Sequence, residues 1–324
     1  MKRREVLALL GGASVWPLAA QAQQAAMPVV GFLHSGSPEP NAKRLAGFRK
    51  GLAGAGFTEG QNVAIEYRWA QGKDERLPEL AADLIQKKVA VIATLSSTTA
   101  AVAAKAATST IPIFFLIADP PVELGLVTSL NRPGGNATGI TTLAAELAAK
   151  RFSLLRQLVP QAATLSALLK PSHPSTKVVT ESLRQTARTL GVGLDILEAE
   201  NDAEIETAYG KLKPGGALLV ATDPFFFIRR AQLIALGARN KVLTIYDSRE
   251  FAESGGLMSY GTIITELWQQ AGVSVARILK GEKPANLPVT QPTRFETVIN
   301  LKTARALGID IPPNLLVTAD EVIE

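Results

Sequence analysis

The chain has 324 residues, of which 47% are hydrophobic, 19% charged and 6% aromatic, with a formal net charge of +5. That length allows about two domains, each with its own core, and the apolar fraction is too high for a disordered chain. With no Cys there is no disulfide framework, no thiolate-bound metal and no cysteine nucleophile, and two histidines, His34 and His173, leave little for a His-based metal site or triad.

Residues 1–22 read as an export signal. Lys2-Arg3-Arg4 is a basic start, Val6 to Ala20 a short apolar stretch, and Ala20-Gln21-Ala22 a small-x-small cleavage site. The apolar stretch is too short to span ~30 Å of hydrocarbon. Arg3-Arg4 also fits a twin-arginine signal, with the general secretion route as the alternative. Cleavage after Ala22 removes two net positive charges and leaves about +3, scattered along the chain. No basic stripe with interleaved aromatics remains, so nucleic acid is not an expected partner.

From Met27 onward short apolar runs alternate with segments of helical period. Strands are expected at Val29–Leu33, Val63–Arg68, Val91–Leu95, Ile113–Ala118, Gly139–Thr141 and Thr164–Leu169. Further ones follow at Gly193–Glu198, Ala217–Thr222, Val242–Tyr246, Leu257–Tyr260 and Phe295–Asn300. Helices are expected at Pro40–Ala55, Lys73–Lys87, Thr98–Ala107, Leu143–Leu158, Ser175–Leu190 and Ile263–Leu279. Continuous apolar strands imply parallel sheets covered on both faces, an α/β doubly wound fold.

The pattern repeats. Val91-Ile92-Ala93-Thr94 and Leu219-Val220-Ala221-Thr222 lie 128 residues apart, as do Ile117-Ala118-Asp119 and Ile245-Tyr246-Asp247. This points to two similarly wound lobes, with a turn-rich break near Pro133-Gly134-Gly135-Asn136. Their strand C-terminal ends should meet at a shared cleft, where open α/β sheets bind ligands.

No P-loop, G-x-G-x-x-G or H-E-x-x-H occurs, and Gly256 to Gly261 is one residue too long for a nucleophile elbow. Catalytic residues, cofactor and metal are therefore all expected to be absent. Ligand contacts are expected instead at strand ends. Ser35 and Ser37 form one hydroxyl-rich turn beside His34, which itself reads as structural. Ser96, Ser97 and Thr98 lead into a helix whose free amides suit a carboxylate. Asp119, Asp223 and Asp247 each close a strand, as helix caps or as receptors for an amine or hydroxyls. Of Phe225-Phe226-Phe227 at least one should face the cleft mouth or solvent, since a helix cannot bury three consecutive residues on one face, and Phe225 is expected to stack on the ligand. Tyr246 also falls at a strand end.

Gly56-Phe57-Thr58-Glu59-Gly60-Gln61-Asn62, Ala118-Asp119-Pro120, Gly125-Leu126-Val127, Pro133-Gly134-Gly135-Asn136-Ala137-Thr138-Gly139 and Ala304-Arg305-Ala306-Leu307-Gly308-Ile309 occur in order. With these the mature chain resembles the periplasmic substrate-binding proteins of ABC transporters, in the family with tryptophan- and tyrosine-binding members. The resemblance implies a type I periplasmic binding protein fold with a multi-strand hinge. Residues 23–138 and 262–290 would form lobe 1, and 139–261 and 291–324 lobe 2. It implies a monomer that captures a small aromatic or carboxylate ligand by hinge closure and docks on an inner-membrane permease. Carried over by position, the ligand would meet Ser35, Ser37, Ser96, Ser97, Thr98, Asp119, Thr222, Asp223 and Asp247. A sensor feeding a membrane receptor is the alternative, and a hydrolase using Asp119 and Asp247 as acid and base is the rival from another class.

Overall fold

Runs of Val, Ile, Leu and Phe too apolar to alternate become strands covered on both faces. The computed structural model describes residues 27–324, so the expected export signal and its cleavage site lie outside the described residues. The first lobe carries β1 (Val29–His34), α1 (Ala42–Gly54), β2 (Ala64–Trp69), α2 (Leu77–Gln86), β3 (Val91–Leu95), α3 (Thr98–Ala107), β4 (Ile113–Ile117) and β5 (Ala137–Thr141). Its sheet runs β2-β1-β3-β4-β5, all parallel.

The second lobe begins with α4 (Ala144–Leu158), β6 (Thr164–Leu169), α5 (Thr176–Leu190), β7 (Gly193–Glu198) and α6 (Asp202–Gly210). It continues through β8 (Ala217–Val220), α7 (Pro224–Ile228), α8 (Arg230–Asn240), β9 (Leu243–Tyr246), α9 (Arg249–Glu253) and β10 (Met258–Thr262). The chain then returns to the first lobe as α10 (Ile264–Leu279) and re-enters the second as β11 (Phe295–Asn300), α11 (Leu301–Leu307), α12 (Pro313–Val317) and β12 (Glu321–Ile323). The second sheet runs β12-β11-β10-β9-β8-β6-β7, parallel except where β11 lies antiparallel to β10.

The order β7-β6-β8-β9-β10 repeats β2-β1-β3-β4-β5, so β9 is the counterpart of β4, and Asp119 and Asp247 follow counterpart strands. The paired Ala-Thr dipeptides do not superpose in the same way. Ala93-Thr94 lies inside β3, whereas Ala221-Thr222 follows the end of β8.

Each sheet is buried between two helical layers. In lobe 1, Phe32, Phe48, Trp268 and Val275 fill one face, and Leu33, Leu84, Ala101 and Phe115 the other. In lobe 2, Phe152, Leu165, Leu183 and Ile245 fill one face, and Tyr209, Leu218, Phe226 and Tyr246 the other. Each such apolar side chain contributes ~1.5–3 kcal/mol when fully buried.

The chain crosses between lobes three times: after β5, after β10, and between Thr290 and β11. Thr290 accepts a hydrogen bond from Thr141 N (3.0 Å) and donates one to Gly139 O (3.0 Å), so its segment lies along β5. The first crossing therefore falls beyond Thr141 rather than at residue 138. The Pro133–Asn136 turn is internal to lobe 1: Asn136 Nδ2 donates to Thr108 O and Ile111 O, tying the turn down ahead of β5.

Candidate functional site

The parallel strands of both lobes aim their C-terminal ends at one another, and the loops leaving them wall a narrow cleft. Lobe 1 supplies His34, Arg44, Ser96 and Thr142. Lobe 2 supplies Arg151, Thr222, Asp223, Phe227 and Asp247. A deeper recess continues past Thr98 and Ala118 to His173.

Several expected contacts are occupied by support of the loops. Ser97 Oγ accepts from Ala100 N (3.4 Å) as the N-cap of α3, and donates to Ser35 Oγ (2.9 Å). Ser35 N donates back to Ser97 Oγ (3.2 Å). Ser37 contributes a carbonyl to Asn41 Nδ2 (2.9 Å) and does not line the cleft. Ser96 does line it, in a left-handed backbone (φ 56°), and accepts from Trp268 Nε1 (2.9 Å).

Asp223 lines the cleft while one oxygen caps α7, accepting from Phe225 N (2.6 Å). Asp119 is completely buried, and neither carboxylate oxygen has a hydrogen-bond partner. His173 Nε2 stands 3.8 Å from Asp119 across the lobes and 3.9 Å from Asp223 within lobe 2. Burial pushes the Asp223 carboxyl up, against the pull of His173 and Lys170. Burial also pushes Asp247 up, against Arg151 and Arg44.

Two aromatic expectations are corrected. Phe225 packs in the lobe 2 core edge-on to Phe226 (5.2 Å), and Tyr246 stacks on Phe251 (4.3 Å) in that same core; neither lines the cleft. All three phenylalanines of α7 are buried in the lobe 2 core, with Arg44 of lobe 1 lying over Phe227. The Arg44 guanidinium lies 3.5 Å from the Phe227 ring centre, and Phe227 is the aromatic that reaches the cleft.

Arg151 and Arg44 were absent from the expected site. Arg151 sits on the apolar stripe of α4 formed by Ala144, Ala148, Leu155 and Leu158, and it is 1% exposed. Its Nη1 donates to Thr222 Oγ1 (3.1 Å), while its Nε has no partner. Arg44 interrupts the stripe of α1 and donates to Glu250 Oε1 across the lobes (2.8 Å). A charge on an apolar stripe was the available signal for both.

The lobes are clasped. Beside the Arg44–Glu250 pair, Lys170 meets Asp74 (2.7 Å) and Lys43 meets Glu253 (3.2 Å). Burial works against the Lys170 charge, but Asp223, Asp74 and Glu200 outweigh it and raise its pKa.

His34 is held neutral, its pKa lowered to about 3 by burial and then by Arg44. Because the unfolded side chain titrates near 6.5, acid protonates the unfolded chain first. The stability present above pH 6.5 is therefore lost as pH falls toward 3, by about 2 kcal/mol at pH 5. Asp223 and Asp247, raised in the fold, work in the opposite direction. Denaturant titrations at pH 7 and pH 5 should show His34→Phe losing about 2 kcal/mol less than the native chain on acidification. Equal losses would sink the assignment.

No group of three or more His, Asp or Glu side chains able to hold a metal occurs among the described residues, and no helix among them is long and apolar enough to cross a membrane.

Comparison with known proteins agrees with this geometry. Residues 37–323 match the family model for ABC transporter substrate binding proteins. A tyrosine-binding protein of Clostridioides difficile (strain R20291) is 29% identical over 272 residues, 82% of this chain and 77% of that protein. An ABC domain from Streptococcus pneumonia in complex with L-Trp is 26% identical, covers 91% of this chain and 99% of its own, and superposes with a TM-score of 0.82. A ligand-free, open substrate-binding protein with adhesive properties from Clostridium difficile, at 25% identity and the same coverage, gives 0.65. The difference agrees with the clasped lobes, which match the ligand-bound arrangement better than the open one. With its two parallel-sheet lobes and three crossings, the chain has the type I periplasmic binding protein fold and belongs to the ABC transporter substrate-binding proteins.

Proposed function

We propose that the chain works outside the cytoplasm as the monomeric solute-binding component of an ABC importer. It captures an aromatic amino acid or a related aromatic carboxylate between its lobes and hands the closed complex to a membrane permease. The observation that carries this reading is the set of buried polar atoms left without partners around one interlobe cleft. His34 Nε2, Arg151 Nε and both oxygens of Asp119 are desolvated and unpaired. Each such atom costs ~1–3 kcal/mol unless something else pairs it, and a bound solute of matching polarity would do so. The likeness to a tyrosine-binding protein and to a tryptophan complex supports the aromatic part. Phe227, Leu147, Pro224 and Ile264 provide the apolar surface for it.

The role is capture without turnover. L-Tyrosine and L-tryptophan should bind in isothermal titration calorimetry and be recovered unaltered. Replacement of Asp119 by Asn, or of Asp223 by Ala, should weaken that binding more than roughly tenfold at an unchanged fold, since the first removes the charge that a ligand amine would meet and the second leaves a ligand donor unpaired. Native affinity in both variants would overturn the site, and conversion of either amino acid would overturn the binding role.

A further inference from the structure

Two of the unpaired atoms are donors, and they stand on opposite lobes. His34 Nδ1 accepts from Gly36 N (2.7 Å), so the neutral ring must carry its proton on Nε2. The ring is fixed there, 4.9 Å from Trp69 and 6.2 Å from Trp268, and is 1% exposed. Its Nε2–H lacks an acceptor, although the residue lines the cleft. Arg151, on the facing wall, is equally buried and spends one hydrogen bond on Thr222. Its Nε–H is unpaired as well.

Both unpaired atoms are N–H donors, so what pairs them must offer acceptors. A water oxygen could accept from one or both, but it brings no charge to the buried guanidinium. A carboxylate offers each lobe an oxygen on a single group and carries the charge that the guanidinium asks for. We propose that His34 and Arg151 together receive the carboxylate of the solute, one donor from each lobe, so that the acid group is what the lobes close upon. This rests on the solute-binding reading above and moves the anion site away from the Ser96–Thr98 turn, whose Ser97 hydroxyl is consumed within lobe 1.

The surrounding charges sharpen the requirement. Asp247 and Asp223 line the same cleft, and Asp119 stands behind it. An acid group directed at Asp223 or Asp119 would be repelled, whereas beside Asp247 the facing charge of Arg151 offsets that repulsion. Arg44 does not compete, since Glu250 and Ser248 already engage its guanidinium.

The test is a cycle between protein and solute. Affinities of L-tyrosine and L-tyrosinamide are measured by calorimetry on the native chain, His34→Phe, His34→Gln, Arg151→Met and Arg151→Lys. The native chain should prefer the acid over the amide by roughly tenfold or more. His34→Phe and Arg151→Met should each erase most of that preference, and His34→Gln, which keeps a side-chain N–H, should restore part of it. If His34→Phe weakens acid and amide equally, His34 is a packing residue and the assignment falls. Should Arg151→Met fail to fold, the His34 pair decides alone. If neither aromatic amino acid binds, the same comparison runs on L-leucine, L-glutamate and benzoate with their amides. Binding there would remove the aromatic reading and keep the carboxylate site. Absence of binding by every acid, or equal binding of acids and amides, would overturn the site.

Discussion

Gly272→Ala is expected to destabilise the protein by roughly 3 kcal/mol, at the upper end of what overpacking costs. Helices α1 and α10 come from distant parts of the chain, yet they touch along glycine. A Cβ on Gly272 would fall on the carbonyl oxygen of Phe48 and come within 2.7 Å of Leu52 N. One on Gly51 would fall on the carbonyl oxygen of Gln269. The obstacles are backbone atoms, which cannot rotate aside, so the helices must separate and loosen Phe48, Trp268 and Val275 between them. This junction also anchors the chain in lobe 1 after β10, so loosening it frees the second crossing. Gly54→Ala is the control: a Cβ there meets nothing within 4 Å, and the substitution should be neutral or gain up to ~1 kcal/mol from helix propensity. Denaturant melts of both variants give the comparison. Equal stability of Gly272→Ala and the native chain would show that α10 can shift freely.

The winding of the fold was legible because parallel strands need unbroken apolar runs. Val91–Leu95 and Thr164–Leu169 were read to the residue on that ground, and the mixed runs Gly193–Glu198 and Phe295–Asn300 were read to the residue as well. The doubled lobes were legible for a related reason: Asp119 and Asp247 follow counterpart strands, and a residue just past a strand end faces the cleft. Tyr246 fails by one position. Within β9, Ile245 and Tyr246 point to opposite faces of the sheet, each into a core, and only Asp247 beyond them turns to the cleft. The Pro133–Asn136 turn misled because turn chemistry marks a reversal of chain, not whether the chain leaves its sheet. β12, with three residues and one paired edge, is too short to show a period.

The polar half of the site was the least legible part. Arg44 meets a partner 206 residues away, and His173 approaches Asp119 from the other lobe. Local spacing carries no record of either contact. What spacing does carry is the anomaly of an arginine on the buried face of α4 and another on α1, and both proved to line the cleft.

The Arg44–Glu250 pair should therefore control closure more than folding. Its side chains are 7% and 11% exposed, and Arg44 holds the Glu250 carboxyl down despite burial. Removing one partner of a buried pair typically costs ~3–5 kcal/mol, because the other charge stays buried. Here the remaining charge has an escape: Arg44 belongs to lobe 1 and Glu250 to lobe 2, so the lobes can part and let water reach the guanidinium. The penalty for Glu250→Gln is then capped by the free-energy gap between closed and open forms and is drawn from solute affinity. L-Tyrosine binding should weaken at least roughly tenfold, a shift of about 1.4 kcal/mol. The radius of gyration of the unliganded protein should rise in solution scattering, while its melting temperature stays near the native value. Glu253→Gln offers the contrast. Its partner Lys43 is 79% exposed, and such surface pairs contribute ~0–1 kcal/mol, so affinity should barely change. A Glu250→Gln protein that melts early yet binds with native affinity would place the pair in folding instead. With affinity lost and melting unchanged, Arg44 and Glu250 are the contact that distinguishes the closed form from the open one.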